Sequence, residues 1–251
     1  MKPQPKKSLG QNFLTDHNIL RKEAGLLDPK HKTVFEIGAG DGRLSEKILE
    51  LEPKRLFLVE KDKHFADLLN KRFAGYIDGG VVVVLCGDAL EIDFPEADLI
   101  IGNIPYYITS QIIFKLAKTN CERIVLIVQK EFAEKMIAKA NTKRYGRLSI
   151  TAQLAFDIEF VQVVPRHLFK PMPKVDSALI ILKPTNKQLT EHEEKVIRWL
   201  FSHKNKTVRN ALLDSGVEKE KIAKLGEIAK RKVRALGKEE VLKIAQKLPQ
   251  T

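Results

Sequence analysis

The sequence predicts an α/β protein: a seven-stranded, mostly parallel sheet with helices on both faces and an antiparallel edge strand, followed by a small C-terminal helical domain. Three observations carry this. From Thr33 to about residue 140, short apolar runs alternate with amphipathic stretches, the rhythm of strand–helix–strand crossovers. The run Val81-Val82-Val83-Val84-Leu85 is apolar throughout, as expected of a strand buried on both faces. Beyond about Lys187 no strand pattern remains, and the periodicity is helical to the end.

The elements follow in order. An N-terminal extension and helix occupy residues 1–30, with Thr15-Asp16 offering an N-cap, a helix through about Leu27, and Asp28-Pro29 to stop it. Strands are expected at 33–37, 55–60, 81–86, 98–102 and 123–129, and helices near 41–51, 62–73, 108–118 and 130–140. After Asn141 come a helix at 145–155, a strand at 157–164, a proline-rich link from Pro165 to Pro173, and a strand at 177–183. The two closing strands imply an antiparallel edge on the parallel sheet. A ligand-binding domain is thus expected over 1–186 and a helical domain over 187–251.

Composition narrows the function. At 43% hydrophobic and 30% charged residues the chain is globular, and no apolar run approaches the roughly 18 residues that span a bilayer. Met1–Lys7 has no apolar core after its charges, so no secretory signal is expected. Cys86 and Cys121 sit in apolar runs and read as buried thiols of a reducing, cytoplasmic compartment. The six histidines are scattered, and no metal site is expected. Lys and Arg number 44 against 32 Asp and Glu, a net +12, of which the last 65 residues hold +7. That balance favours a polyanionic partner, with the helical tail as its place of contact.

Two segments carry chemistry. Glu36-Ile37-Gly38-Ala39-Gly40-Asp41-Gly42 ends the first predicted sheet strand in a G-x-G-x-G turn, with an acid two residues ahead. Glycines there let backbone approach a ligand. A dinucleotide fingerprint would need its third glycine where Arg43 stands. Glu60, twenty residues after Gly40 at the next strand end, is placed to accept from both hydroxyls of a ribose, with Lys61 beside it. Gly87-Asp88-Ala89 ends a third strand. The second segment, Asn103-Ile104-Pro105-Tyr106, closes the strand Asp98–Ile101. It joins an amide acceptor, a proline without an N–H and an aromatic face, a receptor for an amino group on a flat ring.

These segments resemble motifs I and IV of class I S-adenosylmethionine-dependent methyltransferases, specifically the rRNA adenine N6-dimethyltransferase family. The resemblance covers nearly the whole chain. Lys7–Leu14 is similar to the family's N-terminal motif, which implies that Asn12 and Leu14 contact the cofactor. Phe169–Ser177 matches its F-x-P-x-P-x-V-x-S stretch flanking the target base, and His203–Asn210 resembles a basic RRKTLRN-like segment except at the first two basic positions. The resemblance implies S-adenosyl-L-methionine as cofactor, S-adenosyl-L-homocysteine as product and no metal. Cofactor contacts then fall to Asn12, Leu14, Glu36, Gly38, Gly40, Glu60, Lys61, Asp88, Ala89 and Asn103. Asp88 would accept from the cofactor's adenine amino group. Target-base chemistry falls to Asn103, Ile104, Pro105, Tyr106 and Phe169, and RNA contact to Lys204, Lys206 and Arg209. The implied substrate is two adjacent adenosines in the 3′-terminal hairpin loop of small-subunit (16S) rRNA, met in the 30S particle by a monomeric enzyme during ribosome biogenesis. A large-subunit (23S) dimethyltransferase of the resistance type and a non-catalytic RNA-binding assembly factor stay open as alternatives; Arg43 disfavours a nicotinamide oxidoreductase.

Overall fold

A computed structural model describes residues 11–185 and 187–248. A short strand β1 (Phe13–Leu14) precedes α1 (His17–Leu27). Crossover units follow: β2 (Thr33–Ile37), α2 (Arg43–Leu49), β3 (Arg55–Glu60), α3 (Lys63–Arg72), α4 (Ala74–Asp78), β4 (Val82–Cys86), β5 (Leu99–Asn103), α5 (Thr109–Leu116), β6 (Arg123–Gln129) and α6 (Lys130–Met136). Then come α7 (Arg147–Ala155), β7 (Phe156–Val164), β8 (Phe169–Lys170) and β9 (Ser177–Pro184), and the helices α8 (Glu191–Ser202), α9 (Val208–Asp214), α10 (Lys219–Ala223) and α11 (Lys238–Lys247).

Seven strands form one sheet in the order β4-β3-β2-β5-β6-β9-β7. The pairs from β4 through β6 are parallel and β9 runs antiparallel to β6. The order reverses at β2, since β3 and β4 lie to one side and β5 and β6 to the other. Such a switch point opens a crevice at the carboxyl ends of the strands. Helix α1 is set by its caps. The Asp16 carboxylate accepts from the N–H groups of Asn18 and Ile19, both at 2.9 Å, and Asp28 ends the helix in the left-handed region at φ 56°.

Three expectations change. The run Val81–Leu85 is an edge strand, not a doubly buried one: Val82 is buried, Val83 to Leu85 are half-buried, and Cys86 is exposed. An edge strand has a neighbour on one side only, so the expected burial of Cys86 fails with it. Cys121 is half-buried, not buried, which is enough to raise its thiol to about 11. The expected helix over 130–140 stops at Met136. Finally, the domain boundary is not a single cut at 186/187. The chain forms two compact units, one of the residues up to Ala133 with Glu159–Pro184, the other of Glu134–Ile158 with the chain from Thr185 onward. The reason is packing. Tyr145, Ile150 and Leu154 belong to the apolar core of α8, α9 and α11, where the Tyr145 hydroxyl donates to the Leu236 carbonyl at 2.6 Å.

Candidate active site

The carboxyl ends of β2, β3, β4 and β5 border an open cleft of about 1080 Å³, which lies wholly in the first unit. Asn12, Leu14, Glu36, Gly38, Gly40, Glu60, Lys61, Asp88 and Ala89 line it together with Asn103, Ile104, Pro105, Tyr106 and Phe169. Segments more than 150 residues apart in the chain therefore meet at one place, as at the Thr15 N–H, 2.8 Å from the Leu168 carbonyl. Residues Lys7 to Gly10 of the N-terminal motif lie outside the described residues.

The glycine loop is built for close approach. Gly38, Gly40 and Gly42 have φ of 75°, 56° and 80°, which L side chains rarely adopt. A Cβ on Gly40 would sit 2.6 Å from the Phe13 ring. The N–H groups of Gly38 and Ala39 donate to the Val59 carbonyl at 2.9 and 3.0 Å, and that of Gly40 donates to Glu60 Oε2 at 2.8 Å. Glu60 Oε1 accepts from the Asp62 N–H at 2.8 Å. Glu60 thus anchors the loop to β3, a role its position in the sequence did not disclose, and each oxygen keeps a lone pair for a ligand hydroxyl. Burial pushes its carboxyl up, and the N–H groups of Asp62 and Gly40 partly offset this.

Glu36 is only 1% exposed, and its Oε2 has no hydrogen-bond partner. Burial, tempered by the Ser45 hydroxyl and reinforced by the charges of Glu60 and Asp41, raises its carboxyl to about 8. Asp88 differs. Burial works to raise it, but the Lys61 ammonium and the Leu90 N–H outweigh that and hold it below the ordinary carboxylate range. Its Oδ1 accepts from Leu90 N–H at 2.9 Å, and its Oδ2 pairs with Lys61. The segment after β4 is tied down by Lys115, whose ammonium donates to the carbonyls of Ala89 (2.9 Å), Leu90 (3.3 Å) and Ile92 and lies 4.2 Å from the Phe94 ring centre. Sequence reading missed Lys115, since one lysine on an amphipathic helix reads as solvent-facing.

At the other wall, β5 delivers the Asn-Ile-Pro-Tyr turn. Gly102 allows it: a Cβ there would meet the Ile37 carbonyl oxygen at 2.5 Å. Asn103 pairs with Ile127 on β6, and the Ile104 N–H donates to the Ile127 carbonyl at 3.1 Å. The Pro105 carbonyl accepts from Ile108 N–H and the Thr109 hydroxyl, both at 3.2 Å, so the turn is rigid. The Tyr106 hydroxyl lies 2.8 Å from Ser177 Oγ, which pins the ring with the last residue of the F-x-P-x-P-x-V-x-S stretch. Phe169 is 4% exposed and sits on β8 opposite Leu14 of β1.

Residues 3–250 match the family described as "Ribosomal RNA adenine dimethylase". The chain belongs to that family. Among its relatives, a "Probable ribosomal RNA small subunit methyltransferase A" of Thermococcus sibiricus is 37% identical over 91% of this chain and 84% of its own. The protein of the same description from Haloquadratum walsbyi is 40% identical over 80% and 70%. A dimethyladenosine transferase from Plasmodium falciparum superposes with a TM-score of 0.83 at 29% identity, over 92% of this chain and 95% of its own. A 23S rRNA methyltransferase, ErmE, superposes at 0.69 with 27% identity, over 95% and 100%. The fold is therefore that of the class I methyltransferases, and the protein is an rRNA adenine dimethyltransferase by family.

The residues expected to meet RNA belong to the second unit. The Lys204 ammonium donates to the Lys143 and Tyr145 carbonyls at 3.2 and 3.0 Å, so it serves the fold of the second unit. Lys206 pairs with Asp214 at 2.6 Å, and that hydrogen bond holds the Asp214 carboxyl below its ordinary range. Arg209 is exposed on α9, where no ion pair is made to it among the described residues.

Proposed function

We propose that this protein transfers methyl groups from S-adenosylmethionine to the N6 amino groups of two adjacent adenosines in the 3′-terminal hairpin loop of 16S rRNA, in the 30S particle. The observation that carries the reading is that the Asn103–Tyr106 turn and the Glu60-anchored glycine loop open into one cleft. The small-subunit assignment leans on relatives described as small-subunit methyltransferases. The residues fit the cofactor. Glu36 and Glu60 present buried carboxyl groups, one with an oxygen lacking a partner, and both gain from a cationic ligand bearing vicinal hydroxyls. Asn12, Leu14, Gly38, Gly40, Lys61, Asp88 and Ala89 complete the cradle, with Asp88 and Ala89 at the adenine end. When bound, S-adenosylmethionine supplies a methyl group on a positively charged sulfur.

The chain's own residues prepare the target. An adenine amino group shares its lone pair with the ring and is a weak nucleophile. The Asn103 side-chain oxygen and the Ile104 carbonyl accept from that amino group, which directs its lone pair into the cleft and favours a pyramidal nitrogen. The gain is placement and electrostatic preorganisation. Drawing the base from its stack costs a few kcal/mol, least in a loop, and stacking on Tyr106 and Phe169 returns roughly 1–3 kcal/mol. The enzyme works as a cytoplasmic monomer; among the described residues no helix is long and apolar enough to cross a membrane.

The test is transfer of tritium from labelled cofactor to 30S particles, 50S particles and naked rRNA. Label on two neighbouring adenosines of the 3′ hairpin loop in 30S particles is expected. Label confined to 50S particles would assign a large-subunit enzyme, and no label in any arm a non-catalytic RNA-binding factor.

A further inference from the structure

The inner stripe of α1 is Leu20, Glu23, Ala24 and Leu27, all buried. Three of them are apolar, as a helix packed on a sheet requires. Glu23 is fully buried as well, and neither of its carboxyl oxygens has a hydrogen-bond partner. A leucine would fill such a position without penalty, whereas an unpaired buried carboxyl is costly. The strand register says what it faces. Glu36 pairs with Ile101 across β2 and β5, and side chains alternate along a strand, so Glu36, Ile101 and Asn103 share one face of the sheet. Ile101 packs in the same core as Leu20, Ala24 and Leu27, which makes this the face that α1 covers. Burial and then the Glu36 charge push the Glu23 carboxyl well up, while the Asn103 amide works the other way, so both groups are neighbours of Glu23.

Five buried oxygens here lack partners: both of Glu23, Oε2 of Glu36, Oγ of Ser45 beside Glu36 and Oδ1 of Asn103. The Asn103 amide acts on the Glu23 carboxyl in the direction of an N–H donor, so its nitrogen is on the Glu23 side and its oxygen is left for the cleft. With the nitrogen inward, Glu23 can link Asn103 to Glu36, whose other polar neighbours include the Ser45 hydroxyl. In that arrangement a protonated Glu23 would donate through one oxygen to Glu36 Oε2 and accept from Asn103 Nδ2 at the other, leaving Asn103 Oδ1 to the cleft.

We propose that Glu23 is a positioning residue for Asn103, linking it to Glu36 from beneath the cleft so that the amide oxygen, not the nitrogen, faces the target base. The cofactor wall and the target-base wall are thereby joined through one buried side chain of α1. This rests on the role given to Asn103 above, and transfer by Asn103→Ala alone tests that role separately.

Glu23→Gln keeps both an acceptor and a donor, and Glu23→Leu removes both. Single-turnover transfer to 30S particles, at saturating cofactor, is measured for each, with cofactor and particle binding and the melting transition alongside. Glu23→Leu is expected to slow transfer at least tenfold while both dissociation constants stay within about twofold, and Glu23→Gln to stay within about threefold of the parent. In an Asn103→Ala background the Glu23→Leu change should alter the rate by less than about twofold, since its effect runs through Asn103. Should Glu23→Leu fail to fold, Glu23→Met takes its place. A parental rate in the apolar variant, an equal loss in Glu23→Gln, or an undiminished loss in the Asn103→Ala background would each overturn the proposal.

Discussion

Among the buried polar atoms that the fold leaves without partners is the one that the proposed chemistry requires most. Asn103 Oδ1 is buried at the cleft with nothing to accept, so its value is realised when an amino group arrives. Asn103→Ala should therefore lower single-turnover transfer by on the order of a hundredfold or more while binding of 30S particles changes little. Tyr106→Ala should weaken both, because the ring holds the base before and during transfer. A parental rate for Asn103→Ala would reduce the tetrapeptide to a proline turn ending a strand. Glu36 sets a second expectation. Its carboxyl is raised to about 8 in the fold, so at intermediate pH the folded state holds a proton that the unfolded state has lost. The stability this group contributes is complete below its unfolded pKa and is lost as pH rises through about 8, by at most about 1.4 kcal/mol per pH unit. The melting temperature of the ligand-free protein should fall more steeply between about pH 5.5 and about 8.5 than that of Glu36→Gln. Parallel curves would mean that Glu36 is ionised throughout.

At the scale of elements, the strand ends position everything, and β5 is the most constrained. An alanine methyl at Gly102 meets backbone, the Ile37 carbonyl oxygen at 2.5 Å, and backbone there cannot swing aside. Gly102→Ala should cost about 1–3 kcal/mol in denaturant unfolding and also slow transfer, since Asn103 is the next residue. Gly25→Ala, on α1 where a Cβ meets nothing within 4 Å, should instead be neutral or slightly stabilising. Equal midpoints for the two variants would show that β2 and β5 separate freely. The same elements show what was legible beforehand. Strands β2, β3, β5 and β6 read from their apolar runs to within a residue, because burial on both faces leaves so plain a mark. The cleft was legible because glycines, acids and the amide fall at strand ends. The edge position of β4 was not, since an apolar run does not say which neighbours it has. Nor was the β1–β8 pair, two residues on each side, too short for any period. Glu23 escaped because an acid on an amphipathic helix reads as solvated; its spacing from Leu20 and Leu27 was the available signal.

Over the whole molecule, charge and cleft are divided between the two units. The five basic and two acidic residues of 134–158 join the sixteen and nine of the tail, so the second unit holds +10 of the net +12. The cleft lies in the first. Affinity for a polyanion and affinity for the cofactor should then respond to different substitutions. Phosphate contact releases counterions, so each lost contact lowers the slope of log K against log salt by about one. Charge reversal at Arg209, alone or with Lys206, should weaken binding to 30S particles and flatten that slope while the cofactor dissociation constant stays the same. Lys204→Met is the contrasting variant. Its ammonium serves the carbonyls of residues 143 and 145, so its loss should lower the melting temperature and leave the salt slope nearly unchanged. If instead Lys204→Met flattens the slope and the Arg209 variant does not, α9 is a solvated face. Contact with the phosphates would then belong to the segment around Lys143 that Lys204 braces.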